Sequence, residues 1–260
     1  MTYEAHYIHQ TKNDEAKCST KKLKLMNRIY TPYVFLQIIV AISLVLCFSS
    51  FKKGQSKNKQ VIKNAPTIVK DVDSNIYSII VIGKQFWMGE NLKTKHYANG
   101  KSIANVKDSS RWTVFNSGAY CAYKNDTLQV KTYGLLYNWF AVNDSQKICP
   151  KGWHVPTDAD WSVLEENLGG NSVAGGKLKD TIAWTNAFGN TNESGFRALP
   201  SGCRTNKGTF NSFGFYGLWW SSSENYSTYA WYRSVNYSST DFFRHYYYKR
   251  YGFSIRCLKD

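Results

Sequence analysis

The sequence YGFSIRCLKD, residues 251–260, has the alternation of a β-strand. Its apolar positions are Tyr251, Phe253, Ile255 and Cys257, and the residues between them are Gly252, Ser254 and Arg256. A period of two is typical of a strand that turns one face to the core and the other to solvent. We therefore expect a half-buried strand at this point of the chain.

The chain upstream of this strand, from Trp184 onward, consists of short aromatic segments separated by Asn, Ser and Gly. The segments are ESGFRALPSGCR (193–204), GLWWSSS (217–223) and AWYRSVNY (230–237). Aromatic runs bounded by turn-forming residues indicate antiparallel strands, and such sheets twist. The second half of the chain is thus expected to form a twisted antiparallel sheet.

The middle of the chain carries the helix signals. In PTDADWSVLEENLGG (156–170), Thr157 and Asp160 have the spacing of a capping box, and the apolar stripe after them is Trp161, Leu164 and Leu168. Weaker patterns predict a helix over GLLYNWFAV (134–142) and a short one after Ser172. Two or three short helices followed by an antiparallel sheet indicate an α+β fold.

The segment DVDSNIYSIIVIGKQFWM (71–88) predicts two strands around a tight turn at the dipeptide 83–84. It begins with Asp71, Asp73 and Asn75, which have the one-three-five spacing of a calcium loop. The sixth and twelfth positions are isoleucine, where an EF-hand needs glycine and glutamate. An EF-hand is therefore excluded. A structural calcium stays open but is not indicated, and no cofactor is expected.

The N-terminal quarter of the chain divides into three further segments. Residues 1–32 are a polar tail, residues 33–51 an uncharged apolar run, and residues 52–70 a basic linker with six lysines and no acid. The apolar run fits a signal-peptide core or a membrane anchor. A true start at Met26 would place a short basic region directly before it, so we expect residues 1–25 to be a mis-assigned start.

Three fates of the apolar run stay open: a cleaved signal, a membrane anchor, and a lipoprotein signal at Cys47. Leu46 is larger than the residue that normally precedes a lipidated cysteine, and the basic linker disfavours translocation of the chain downstream of it. We expect the globular part, residues 71–260, to be exported to the cell surface, the periplasm or the medium. Any contact with a membrane would be made through the N-terminal segment.

The formal net charge of +15 lies mainly outside the globular part. Residues 71–260 hold 21 lysines and arginines against 15 acids, so the excess there is small. No basic helix, zinc spacing or RNA-binding motif accompanies it. A nucleic-acid partner is therefore not expected.

The cysteines of the globular part are Cys121, Cys149, Cys203 and Cys257. An even number behind an export signal indicates disulfides, and spacing alone leaves all three pairings open. None of the four belongs to a CxxC pair, so neither a zinc site nor redox chemistry is expected.

Seven blocks of the sequence together resemble the Fibrobacter succinogenes major paralogous domain family over residues 71–260. In chain order they are DVDSNIYSIIVIGKQFWMGENLKT, TYGLLYNWFAV, KICPKGWHVPTDADWSVLEENLGG, GGKLKD, NESGFRALPSGCR, WWSSSE and YGFSIRCLKD. This family is common on the surfaces of Bacteroidetes and Fibrobacter-like bacteria. The second half is also similar to the C-type lectin-like superfamily, including its sulfatase-modifying branch, which implies a C-type lectin-like fold.

The resemblance also implies an arrangement of the chain ends and of the cysteines. In such folds the first and last strands lie side by side, which favours a disulfide between Cys149 and Cys257. Such a bond closes a loop of more than a hundred residues and stabilises by about 4 kcal/mol. Cys121 and Cys203 would then be left to pair with each other.

The loops are rich in Trp, Tyr, Asn and Ser, and this composition favours glycan binding without catalysis. Trp and Tyr rings stack on sugar rings, and Asn and Ser form hydrogen bonds with sugar hydroxyls. The candidate ligand-binding residues are Trp219, Trp220, Tyr226, Tyr229, Tyr232 and Glu224. Since adjacent strand residues point to opposite faces, one tryptophan is expected in the core and only the other toward solvent. The partner would be a glycan or another cell-envelope component. The tripeptides with which calcium-dependent lectins select mannose or galactose are absent.

Two alternatives remain. The tyrosine-rich HYYYKRYGF (245–253) is typical of an adhesive surface that binds proteins. An enzyme like the formylglycine-generating branch needs a reactive cysteine pair near the end of the domain, where only Cys257 lies. His154 is bracketed by Trp153 and Val155 and is expected to be structural. We therefore expect no catalytic residues.

Overall fold

A computed structural model of the chain describes residues 67–186 and 188–260. Residues 66–260 form one compact unit. The polar tail, the apolar run 33–51 and nearly all of the basic linker lie outside the described residues, so the expectations about export and anchoring stay predictions. Within the described ranges, no helix combines the length and apolar character needed to cross a membrane.

The described chain contains short helices and mostly short strands. The strands are β1 (Ile68–Lys70), β2 (Ile76–Ile82), β3 (Gln85–Met88), β4 (Ala104–Asn105), β5 (Ala119–Cys121), β6 (Leu136–Tyr137), β7 (Trp153–His154), β8 (Ser201–Arg204), β9 (Phe210–Phe213), β10 (Tyr216–Tyr226), β11 (Tyr229–Asn236), β12 (Phe243–Tyr248) and β13 (Leu258–Lys259). The helices are α1 (Ser109–Val114), α2 (Val130–Tyr133), α3 (Trp139–Val142), α4 (Asp158–Asn167) and α5 (Asn171–Leu178). Two 3-10 turns cover Tyr123–Asn125 and Thr127–Gln129.

These strands form four small sheets rather than the single sheet expected. Their orders are β1-β2-β3-β13-β7, β10-β11-β12, β4-β5-β6 and β8-β9. Nearly all pairs are antiparallel, with β4 and β5 running parallel. The fold is therefore mixed α+β with mostly antiparallel sheets, and the expected order of helices before the long strands is confirmed.

The N-terminal hairpin forms as predicted. Strands β2 and β3 pair from Ile82 opposite Gln85, and Gly83 takes the left-handed conformation that the tight turn needs, with a φ of +61°. A side chain at Gly83 would also overlap that of Asn167 at the end of α4. The hairpin then meets the end of the chain, because Leu258 of β13 lies opposite Trp87 of β3.

Helix α4 begins at the predicted capping box. The Thr157 hydroxyl accepts a hydrogen bond from the Asp160 backbone N–H at 3.1 Å, and the Asp160 carboxylate accepts one from the Thr157 N–H at 2.9 Å. Its apolar stripe, Trp161, Leu164 and Leu168, is buried. The helix expected after Ser172 is also present as α5.

The helix predicted over residues 134–142 is wrong except for its last turn. Only α3 is helical, and the preceding Leu136–Tyr137 is strand β6. The helix begins only after Asn138, because the Asn138 side-chain oxygen caps it by accepting a hydrogen bond from the Ala141 N–H. The same oxygen also accepts a hydrogen bond from the Ala119 N–H. Upstream, the Tyr137 N–H is bonded to the carbonyl of Phe253 instead of to a helical turn.

The half-buried strand expected at the end of the chain is also wrong, because residues 252–258 are buried on both sides. Phe253, Ile255 and Cys257 point into one core cluster. On the other side Leu258 joins a second cluster, and the guanidinium of Arg256 packs against the Phe196 ring at 4.1 Å. A period of two marks which side chains share a face, but it does not reveal that the second face is covered as well.

Arg256 is buried without a carboxylate among its hydrogen-bond partners in the described structure. Its guanidinium donates to Asn91 Oδ1 at 2.7 Å, to the Gly89 carbonyl at 3.0 Å and to the Phe196 carbonyl. Burial lowers the pKa of Arg256 to about 9, so the side chain remains charged at neutral pH. The charge is thus stabilised by three carbonyl dipoles from two segments of the chain, residues 89–91 and Phe196.

The disulfide between Cys149 and Cys257 is present, with an S–S distance of 2.01 Å and a sequence separation of 108 residues. The predicted pairing of Cys121 with Cys203 is wrong, since both are free and buried. They lie in different core clusters, where each fills space as a small apolar side chain. Burial raises the pKa of each thiol to about 11, which keeps both protonated.

Replacing Arg256 with methionine should lower the free energy of unfolding by about 2 to 3 kcal/mol, because two buried carbonyls lose their donor. Urea unfolding followed by tryptophan fluorescence measures this. The matched control is Arg111→Met on the exposed side of α1, which should change stability by less than about 0.5 kcal/mol. Equal stabilities of the two variants would show that Arg256 does not hold these segments together.

Candidate functional site

A groove of about 500 Å³ opens on one face of the sheet formed by β10, β11 and β12. We call it the aromatic groove. Its lining residues are Cys203, Thr205, Asn211, Ser212, Tyr216, Leu218, Tyr232, Ser234, Asn236, Phe243, His245, Tyr247, Tyr251 and Phe253. A volume of this size lies in the range of pockets that hold small molecules.

Strand register explains why these side chains share one face. Tyr216 of β10 lies opposite Asn236 of β11, and Tyr232 of β11 lies opposite His245 of β12. Along each strand every second residue points the same way, so Ser234 joins the face beside Tyr232 and Asn236. The other side of the groove is supplied by β8, β9 and the segment that leads into the chain end.

The floor of the groove is apolar and firmly packed. Tyr232 is buried, and its ring lies 4.8 Å from that of Phe253 and 6.3 Å from that of Trp220. Leu218 is buried beside them. The floor is therefore part of the main core and does not need a ligand to form.

The rim of the groove presents aromatic rings. Phe243 and His245 lie side by side along β12 with their ring planes only 15° apart and centroids 5.8 Å apart. At one end the rings of Tyr247 and Tyr251 meet at 4.2 Å and 64°. His245, Tyr247 and Tyr216 are exposed. Ring faces are thus available to a flat apolar ligand surface.

The groove also holds neutral hydrogen-bonding groups. They are the side chains of Thr205, Asn211, Ser212, Ser234 and Asn236, together with tyrosine hydroxyls. Partial desolvation lowers the pKa of His245, and burial raises the pKa values of Tyr251 and Cys203. None of the described lining residues is an aspartate, glutamate, lysine or arginine. The groove is therefore uncharged at neutral pH.

Of the six predicted ligand-binding residues, only Tyr232 lines this groove. The expectation that one of Trp219 and Trp220 faces solvent is wrong, since both are fully buried. They do point to opposite faces, with Trp219 against Phe196 at 5.7 Å and Trp220 against Phe253 at 4.4 Å. Both faces of β10 are covered at this point, so alternation leaves neither ring exposed.

Tyr226 and Tyr229 lie at the far end of the β10–β11 hairpin in a second aromatic group. We call it the tyrosine cluster, formed by Tyr226, Tyr229, Trp231, Tyr246 and Tyr248. Tyr246 meets the rings of Tyr226, Tyr229 and Trp231 at 85°, 86° and 89°. Tyr246 thus packs edge to face against three of its neighbours, and the rings of Tyr229 and Tyr248 are tilted by 35° at 4.6 Å. The five rings therefore do not form one flat row.

Glu224 has a structural partner. Its carboxylate accepts a hydrogen bond from the ammonium of Lys249 at 2.5 Å, and Lys249 is itself buried over the ring of Trp139 at 4.4 Å. The carboxylate thus balances a buried cation instead of facing the groove.

The groove residues that sequence reasoning missed carry a readable signal. In FRHYYY (243–248) the period of two places Phe243, His245 and Tyr247 on one face and Arg244, Tyr246 and Tyr248 on the other. Taken as a whole, the segment has the composition of a protein-binding patch. When its two faces are considered separately, one set of side chains belongs to the aromatic groove and the other to the opposite side of the sheet.

The other candidate side chains have structural partners. Asp71 accepts hydrogen bonds from Asn75 and from the Tyr77 hydroxyl. His154 lies between two carboxylates, 2.7 Å from Asp260 and 3.3 Å from Asp160. Within the part of the chain that the structure describes, no group of three or more His, Cys, Asp or Glu side chains is arranged to hold a metal ion.

Comparison with known proteins gives one match. A family model described as the Fibrobacter succinogenes major domain matches residues 80–259. No curated protein and no solved structure matches the chain.

His245 should titrate below its ordinary pKa of 6.5, because the neighbouring rings of Tyr232 and Phe243 partly desolvate the imidazole and so disfavour its charged form. NMR titration of the imidazole C–H resonance measures this, and loss of the resonance in the His245→Gln variant assigns it. In the urea-unfolded protein the titration midpoint of this resonance should return to about 6.5. A folded-state midpoint at or above that value would contradict the uncharged groove.

Proposed function

The chain belongs to the Fibrobacter succinogenes major domain family, and we propose that it is a non-catalytic binding module whose ligand is a glycan held in the aromatic groove. One observation carries this proposal: exposed ring faces and neutral hydrogen-bonding groups converge in a single groove on a rigid sheet. Sites of this kind are largely formed before the ligand arrives.

The chemistry of the groove matches the two kinds of surface that a sugar presents. A pyranose ring has an apolar C–H face, which packs on aromatic rings such as those of Phe243 and His245. Its hydroxyls both donate and accept, as do the side chains of Asn211, Ser234 and Asn236 across the groove.

The residues of the groove favour binding over reaction. Glycoside hydrolysis uses two carboxylates, and the described lining residues include none. A chemistry like that of the formylglycine-generating branch needs reactive thiolates, whereas Cys257 is in the disulfide and burial raises the pKa of Cys203 to about 11. These observations support a module that binds without transforming its ligand.

The finer fold and the location are part of the same proposal. The N-terminal hairpin lies beside the last strand, β13, which supports a C-type lectin-like fold. The disulfide Cys149–Cys257 supports export to an oxidising compartment such as the cell surface. The apolar run 33–51 would direct or tether the chain there.

A second candidate function is adhesion to a protein through the tyrosine cluster. Tyr226, Tyr246 and Tyr248 are 64%, 48% and 42% exposed, so three large aromatic side chains of this cluster face solvent. Tyrosine is enriched at protein interfaces. This surface lies away from the groove lining, so the two functions can be tested separately.

Tyr247→Ala should weaken binding of the polysaccharide selected on a glycan array by about tenfold, since it removes one stacking ring from the groove. Isothermal titration measures the affinity. The matched control is Tyr246→Ala, which removes an exposed ring from the neighbouring position of the same strand but from the tyrosine cluster. Loss of binding in the Tyr246 variant alone would shift the site to that cluster, and absence of binding to every glycan would refute the proposal.

A further inference from the structure

We infer that the aromatic groove selects uncharged saccharides and rejects those that carry a carboxylate, because its lining offers neutral hydrogen-bonding groups and no cation. This inference rests on the proposed function, because it names the class of glycan that the same groove would take.

The charged side chains of the sheet are engaged elsewhere. Arg233 and Arg244 alternate with the groove residues and point to the opposite face, where both bind the carboxylate of Asp158. Arg233 is further paired with Glu165 at 2.6 Å. These two guanidinium groups are therefore unavailable to a ligand in the groove.

Two further arginines adjoin the groove lining in sequence, and both are held by other parts of the chain. Arg250 precedes the lining residue Tyr251 and donates to Asn116 Oδ1. Arg204 lies between the lining residues Cys203 and Thr205 but is itself fully buried. It donates to the carbonyls of Val106, Lys107 and Gly208, and packs over the Trp112 ring at 4.4 Å. Its donors are used inside the protein, so it cannot meet an anionic ligand without breaking the core.

A carboxylated sugar would therefore enter the groove without a counter-ion. Moving an anion out of water without a paired charge costs more than moving a hydroxyl that finds a hydrogen bond. The amides and hydroxyls of the groove can satisfy hydroxyls of either polarity. The preference for uncharged saccharides thus has two sources. The lining offers neutral hydrogen-bond donors and acceptors, and its described residues include no cation.

His245 occupies the position where a charge would change this most. It lies in the middle of β12 opposite Tyr232, with its ring 5.8 Å from the rings of both Tyr232 and Phe243. As a neutral imidazole it offers one donor and one acceptor. A lysine at this position would place a permanent cation beside the bound sugar.

The test compares each neutral glycan that binds the full chain with two derivatives of the same glycan. In one the C6 hydroxyl is oxidised to the carboxylate, and in the other that carboxylate is converted to its uncharged methyl ester. Isothermal titration should show affinity lower by at least about tenfold for the carboxylate and largely retained for the ester. Binding of the neutral glycan should not change between about 20 mM and about 500 mM NaCl.

Two variants locate the selectivity. His245→Lys should raise affinity for the carboxylated form and make it fall with salt, whereas His245→Gln, which keeps a neutral donor and acceptor, should retain the preference of the natural protein. Three results would overturn the inference and leave the proposed function standing. The first is an affinity for the carboxylated glycan that equals or exceeds that for the neutral one. The others are a methyl ester that binds as weakly as the carboxylate, and a His245→Lys variant with no higher affinity for the carboxylate. Binding of neither form would overturn both.

Discussion

One extended segment, residues 252–258, hydrogen-bonds to all four sheets of the described domain. Gly252 pairs with Arg204 of β8, Phe253 with Tyr137 of β6, and Ser254 with Trp219 of β10. Leu258 then forms β13 between β3 and β7. None of the small sheets has to be stable alone, because each shares this strand-like centre with the others. The hydrogen bonds of Arg256 and the disulfide at Cys257 hold the same segment further.

The groove depends on this centre. Phe253 forms part of its floor and Tyr251 part of its rim, so the start of the segment belongs to the candidate site itself. Strand β10 is fixed by two bonds, from the Trp220 N–H to the Ser254 carbonyl and from the Ser254 N–H to the Leu218 carbonyl. Strand β12 forms the edge of this sheet beside β11, and five of its six residues are exposed. The proposed site thus combines a floor that is packed into the core with a rim on an exposed edge strand.

Local signals in the sequence were sufficient for part of this structure. The capping box of α4 and the glycine turn of the first hairpin depend on residues close in sequence, and both were predicted correctly. The resemblance correctly paired Cys149 with Cys257. The burial of Trp219, Trp220 and the terminal segment was not predictable in this way. Alternation of apolar and polar residues shows only to which face of a strand each side chain points. The elements that cover both faces come from distant parts of the chain. For the same reason the groove was missed: its two sides are joined only in the folded protein.

We propose that this centrally held groove, and not the tyrosine cluster, is the ligand site. The most direct measurement is an NMR titration in which a polysaccharide that the protein binds is added to protein with ¹³C-labelled tyrosine rings. If the groove binds the ligand, the ring signals of Tyr216, Tyr247 and Tyr251 should shift and reach saturation, while those of Tyr226, Tyr246 and Tyr248 should not shift. Shifts confined to the second set would contradict it.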